Sequence, residues 1–228
     1  MRKWLPATVA AIAFAITLIP NEASAQLWTF RGSAGYSNSG FYGGEKLLGG
    51  ESRNGIAAGI TADYKRMLGD AWSFEFGIFY VQKGGKGTIE YNPVDPEQLP
   101  IDFTFEGTTK LDYLEFSFVF VGHLETSPDS EFRVYTGPYL GNLLSARAEG
   151  VLDGDNVDID IKDDLKSAEW GIIIGLNWTY YWEKVGLTVD FRNALGLTSI
   201  VGDEFPNVLK NRTNELLVGI TVPLAVGD

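Results

Sequence analysis

Few residues in this chain are equipped for chemistry. His123 is the single histidine, and there is no cysteine. Thiolate nucleophiles, disulfides and cysteine metal sites are therefore excluded. An imidazole works as a general base when a second group orients it within hydrogen-bond reach. No local pattern around Gly122-His123-Leu124 supplies such a group, so His123 is expected to be structural or interfacial, and no catalytic residue is expected. The acidic run Asp153-Gly154-Asp155-Asn156, continued by Asp158, Asp160, Asp163 and Asp164, carries oxygen ligands of the kind calcium prefers. It departs from the EF-hand pattern because Val157 occupies a ligand position and no glycine follows. A solvated external loop is the expectation, with no metal and no cofactor. Gly40 to Gly50 is glycine-rich but has neither the Walker nor the dinucleotide-binding spacing. The last set is Glu75, Glu115, Arg133, Asp190, Arg192 and Glu215, each isolated among apolar neighbours. What these can do depends on the elements that hold them.

Those elements read as strands. In 170–182 every second residue is large and apolar except near the end: Trp170, Ile172, Ile174, Leu176, Trp178, Tyr180 and Trp182. Segment 186–198 puts Leu187, Val189, Phe191, Leu195 and Leu197 on one face, with Thr188, Asp190, Arg192, Ala194 and Gly196 on the other. Segments 213–224 and 111–122 alternate in the same way, through Leu216, Val218, Ile220 and Val222, and through Leu114, Phe116, Phe118 and Phe120. A period of two sustained over such lengths is a strand signal, since a helix would break it within two turns.

One face is bulky and apolar; the other is small, hydroxylic or charged. A soluble barrel or sandwich would enclose the bulky set, whereas a membrane barrel turns it outward. The small face is too slight to clothe a soluble surface and suits a narrow lumen, where Glu75, Glu115, Arg133, Asp190, Arg192 and Glu215 can pair. The strands also run well beyond the ~5–6 residues usual in globular proteins, and a tilted strand needs ~9–11 to cross hydrocarbon.

The connections agree. Eight strands are expected near 27–38, 53–66, 72–90, 107–123, 131–147, 167–182, 186–199 and 211–224. Long links at 39–52, 91–106, 148–166 and 200–210 alternate with short ones at 67–71, 124–130 and 183–185. Outer-membrane barrels have this asymmetry, with short periplasmic turns and longer external loops. Trp28, Trp72 and Phe132 begin upward strands and Tyr64 and Trp182 end downward ones, as a periplasmic aromatic girdle requires. Pro138 fits poorly inside a strand of a closed barrel, and a bulge at Gly137-Pro138 is the expected accommodation.

The N-terminus supports export. Arg2 and Lys3 precede an apolar stretch from Leu5 to Ile19, and Ala23-Ser24-Ala25 gives a signal-peptidase site. Residues 1–25 therefore read as a cleaved signal peptide and 26–228 as one domain. Cleavage moves the formal charge from −12 to −13, which argues against nucleic acid as a partner. Beyond the signal, no apolar run is long enough for a membrane helix.

Four stretches resemble the PorT-like outer-membrane β-barrel family of Bacteroidetes and their relatives. They are Phe79-Tyr80-Val81-Gln82-Lys83-Gly84, Leu111-Asp112-Tyr113-Leu114-Glu115, Thr136-Gly137-Pro138-Tyr139-Leu140-Gly141 through Ala146, and Arg192 to Ile200 with Lys210-Asn211-Arg212. At 116–117, Phe116-Ser117 stands where the family has Ile-Pro. The resemblance implies an eight-stranded barrel in the outer membrane of a Gram-negative cell; it implies no reaction, and the named member of the family is linked to protein secretion.

The expectation is thus an all-β, eight-stranded, antiparallel up-and-down transmembrane β-barrel without enzymatic activity. Its role would be structural, accessory to secretion or envelope assembly, or one of surface interaction through the long external loops. Expected partners are outer-membrane lipid, the barrel-assembly machinery during insertion, and envelope or secretion proteins. Two alternatives stand beside it: a soluble lipocalin-like carrier of a small apolar ligand, and a lipid-modifying outer-membrane barrel enzyme using His123.

Overall fold

The computed structural model describes residues 26–43, 50–66, 69–91, 103–152, 155–182, 185–202 and 209–226. The expected signal peptide at 1–25 lies outside the described residues, as do Asp153 and Gly154 of the acidic run. Among the described residues nine strands occur: β1 (Gln26–Tyr42), β2 (Glu51–Arg66), β3 (Gly69–Tyr91), β4 (Phe103–Ser127), β5 (Ser130–Leu152), β6 (Asp155–Asp160), β7 (Ala168–Trp182), β8 (Val185–Gly196) and β9 (Lys210–Val226). Every pairing is antiparallel. All nine belong to one sheet, in which every strand but β6 is part of a closed ring that joins where β1 meets β9, and β6 is added on β5.

The register shows how the cylinder closes. Hydrogen-bonded partners lead from Trp28 through Tyr64, Phe74, Phe120, Thr136, Ile174, Asn193 and Asn214 back to β1 at Asn38, ten residues further along. A stagger of that size over eight strands tilts them by about 40–45°. The tilt brings residues distant in sequence to one height in the lumen.

Side-chain direction follows the alternation. On β7 Trp170, Ile172, Ile174, Leu176, Trp178 and Trp182 are exposed, Ile174 by 62%. Asn177 and Thr179 between them are at 0%. The same division holds for Phe116 and Phe118 against Glu115, and for Leu216, Val218 and Ile220 against Glu215 and Leu217. The bulky set faces away from the axis. This removes the lipocalin-like carrier, which needs those residues inside.

Two expectations require correction. The acidic stretch 148–166 is not a plain loop. β5 continues to Leu152, and β6 returns along it from Leu152↔Asp155 to Arg147↔Asp160; a 3-10 turn follows at Lys162–Asp164. Outside the membrane both faces of such a hairpin meet water, so no bulky alternation marks it in the sequence. Pro138 is not at a bulge either. Ser117↔Tyr139 and Phe120↔Thr136 lie in one register, and the irregularities in this ladder fall instead between Asp112 and Tyr113 and between Glu125 and Ser127. Between those pairs Pro138 cannot donate, while its pairing with Ile172 on β7 is kept. Gly137 lets the two backbones stay close there, since a Cβ would meet the Phe118 carbonyl oxygen at 2.2 Å.

Candidate functional site

Among the described residues the lumen is where reactive side chains concentrate. Its wall carries seven carboxylates (Asp63, Glu75, Glu115, Glu131, Glu169, Asp190 and Glu215) against Arg31, Lys83, Arg133 and Arg192, with His123 beside them, all buried. Charges taken from water must be paired and hydrogen-bonded to be tolerated. They are arranged in tiers along the axis.

The middle tier is a set of crossed ion pairs. Arg133 donates from Nη1 to Asp63 at 2.8 Å and from Nε to Asn177 at 2.9 Å, and its other terminal nitrogen lies 3.5 Å from Glu75. Arg31 donates to Glu75 at 2.8 Å and stands 3.6 Å from Asp190, which accepts from the Tyr135 hydroxyl at 2.7 Å. Above it, Arg192 pairs with Glu215 at 2.7 Å and lies over the Phe79 ring. Higher still, Lys83 meets Glu115 at 2.6 Å and also Glu169, and sits between the rings of Tyr113 and Tyr139.

At the end with the short turns stands a different group. Ser73 Oγ lies 2.6 Å from His123 Nε2, and His123 Nδ1 lies 2.6 Å from Glu131 Oε1. The Tyr181 hydroxyl donates to the other Glu131 oxygen at 3.3 Å. Beside them a ladder of threonine hydroxyls, Thr179, Thr188 and Thr221, links β7, β8 and β9.

The opposite end is closed. Leu111, Tyr113, Leu143, Ala146 and Ile200 form an apolar cluster against which Phe41, Ile161, Leu165, Val201 and Leu209 pack. The segments above the strands are tied down over it: Lys166 N–H donates to Ile200 at 2.8 Å, Ile200 N–H to Leu209 at 2.8 Å, and Leu165 bridges Val201.

A profile of the outer membrane protein beta-barrel domain family matches residues 21–202. The chain belongs to this family. It is an outer-membrane protein, and the closed eight-stranded cylinder described above is the family's barrel. In an outer-membrane barrel the short turns face the periplasm, so Ser73, His123 and Glu131 sit at the periplasmic mouth and the apolar cap at the external one.

Solved outer-membrane barrels are similar in overall form. Ail, the attachment invasion locus protein of Yersinia pestis, shares 12% identity over 87% of this chain and 99% of its own, with TM-score 0.39. Neisserial surface protein A shares 18% over 86% and 96%, with TM-score 0.41. The outer membrane protease OmpT of Escherichia coli shares 11% over 91% and 100%, with TM-score 0.44. Among curated proteins nothing matches the chain.

Several aromatic pairs of this barrel lie at the periplasmic rim. Trp28 and Tyr64 lie 4.9 Å apart between ring centroids, Trp72 stacks on Phe120 at 4.8 Å, and Tyr180 meets Trp182 edge-on at 4.8 Å. Such rings suit the headgroup layer, being apolar in body and polar at one edge.

All six charged residues read as luminal from the sequence (Glu75, Glu115, Arg133, Asp190, Arg192 and Glu215) face the lumen and are paired. Sequence reasoning missed Arg31, Asp63, Lys83, Glu131 and Glu169. The signal was present for some: Arg31 lies between Thr29 and Ser33, and Asp63 follows Thr61, on the small face of their strands. His123 falls at the short-turn end as expected, but its partners come from strands β3 and β5. The acidic hairpin places Asp155, Asp158 and Asp160 in solvent, with Asp158 held by Arg147 at 3.0 Å. Among the described residues no three acidic, histidine or cysteine side chains are arranged to hold a metal.

Proposed function

We propose that this outer-membrane barrel is a sealed, lipid-anchored platform that meets envelope or secretion partners through the part projecting outward. The carrying observation is the unequal strand length. β3, β4 and β5 run 23, 25 and 23 residues, whereas β7 and β8 run 15 and 12. The surplus is paired, from Tyr91↔Phe103 through Phe105↔Leu152 to Leu152↔Asp155. A four-stranded blade of β3 to β6 therefore stands above the external mouth. Val151 and Ile159 are exposed on it, and the outer edge of β6 is a strand edge of the kind that pairs with incoming chains. The capped lumen, filled with paired side chains, favours a platform over a channel.

The test is a barrel with residues 87–106 and 149–160 each replaced by a short turn, compared with the full chain for a photo-crosslinker at Arg147 or Lys86. The platform reading expects trimmed barrels that still insert and migrate heat-modifiably, and a discrete crosslinked envelope protein that trimming removes. A full chain giving no adduct to any protein at either position would refute it.

A further inference from the structure

The platform reading leaves the periplasmic mouth unused, and the side chains there are in a working order. Three adjacent strands each supply one: Ser73 from β3, His123 from β4 and Glu131 from β5. On the register, Ser73 lies opposite Val121 and His123 opposite Arg133, so the hydroxyl and the imidazole meet on a diagonal. An ionised Glu131 accepts the Nδ1–H of His123 at 2.6 Å. That hydrogen bond selects the tautomer whose Nε2 lone pair faces Ser73 Oγ, also at 2.6 Å. Nucleophile, base and orienting carboxylate in this sequence of contacts are the arrangement that activates a serine, recognised by geometry and not by chain order. Tyr181 steadies Glu131 through its second oxygen.

Asp63 Oδ2 is 3.9 Å from His123 Nε2 and is held by Arg133 at 2.8 Å, and Asp63 is also a hydrogen-bond partner of the Ser73 hydroxyl. As whole residues His123 and Glu131 keep 9% and 6% exposure beside 1% for Ser73, while the external end lies under the apolar cap. A purely structural plug at this level is already supplied by the Thr179, Thr188 and Thr221 hydroxyls, which need no histidine.

We propose that Ser73 is an activated nucleophile that takes acyl groups from uncharged or cationic esters entering from the periplasm. The carboxylates of Asp63, Glu75 and Glu131 around it disfavour anionic substrates. As Ser73 Oγ bonds to the ester carbonyl carbon, its proton passes to His123 Nε2. The carbon–oxygen bond to the alcohol breaks, and that alcohol leaves with the proton from Nε2. Water then attacks the acyl–Ser73 ester by the same route, giving its proton to Nε2 and its hydroxyl to the acyl carbon, and Ser73 recovers its proton. The net reaction is ester plus water to acid plus alcohol. Ser73 and His123 are the catalytic residues, and Glu131 is a positioning residue. This activity is independent of the blade and its partners.

The experiment treats the folded full barrel, in detergent, with a neutral fluorophosphonate ester, and maps the adduct by peptide mass. The expected result is a single adduct on Ser73, absent in S73A. In H123N, checked for heat-modifiable migration, labelling drops by about 10²-fold or more, the size usual for a lost general base. With p-nitrophenyl acetate the wild type gives turnover that S73A lacks. No adduct on Ser73 in the folded wild type overturns the proposal, as does labelling of H123N at the wild-type rate. Should H123N fail to fold, E131Q is read in its place, and labelling of Ser73 there at the wild-type rate also overturns the proposal.

Discussion

Arg133 and Asp63 meet at 2.8 Å although their strands, β5 and β2, are separated in the sheet by β3 and β4. The contact crosses the lumen, and both side chains are almost wholly enclosed. Pairs of this kind cost much to desolvate and are strongly missed when only one partner is removed. Arg133→Met should therefore destabilise the barrel by about 3–5 kcal/mol, whereas Arg133→Met with Asp63→Leu should cost distinctly less. Urea unfolding in lipid vesicles measures both. Equal losses in the single and double variants would show that the cross-lumen pair carries no coupling.

The outward face gives a sharper contrast. Ile174 is 62% exposed and Ile173 1%, one residue apart on β7. Arg at position 174 would enter hydrocarbon near mid-height, at a cost of about 2–4 kcal/mol for a lipid-facing cation. The same measurement on Leu216→Arg, on the same face of β9, should give a similar loss. A negligible change at both positions would mean that this face does not meet lipid.

Gly175 tests the packing of the lumen. A Cβ there would sit 2.3 Å from the Tyr135 ring, and Tyr135 is fixed by its hydrogen bond to Asp190. Gly175→Ala is expected to destabilise by about 1–3 kcal/mol, the usual range for overpacking. Thermal unfolding of heat-modifiable protein reads the effect, and an unchanged midpoint would show that Tyr135 has room to move.

The external cap should block conduction. Ile200 is 1% exposed in the cluster with Leu111, Tyr113, Leu143 and Ala146. Planar-bilayer recordings of the wild type are expected to lack stepwise currents. Ile200→Asp, which puts a charge into that cluster, is expected to loosen it and to raise ion leakage. Large, stable single-channel steps in the wild type would contradict a sealed lumen.

Much of this molecule was legible before folding. Alternation through Trp170, Ile172, Ile174, Leu176 and Trp178 identifies a strand and the residues that share a face, because the side-chain period of a strand is two. The slight, hydroxyl-rich opposite face says which way that strand turns, and alternating link lengths say how many strands close the cylinder. The blade was not legible: residues 147–151 and 155–160 lie beyond the membrane wall with water on both sides, so these strands carry no contrast in hydropathy. Pro138 was misread because a missing donor suggested a bulge, whereas close backbones at Gly137 carry the ladder past it.

Strand alternation places Ser73, His123 and Glu131 on one side of their strands, and Arg133, Asp63 and Glu75 likewise, although of these six only Arg133 and Glu75 are read as luminal from the sequence alone. Only the tertiary structure decided that the first three touch one another, and that Arg133 reaches across to Asp63. The reason is geometric: alternation assigns a side chain to a face, but its height in the lumen depends on strand tilt. That tilt is set by the ten-residue stagger accumulated around the whole barrel, a quantity that no single strand contains.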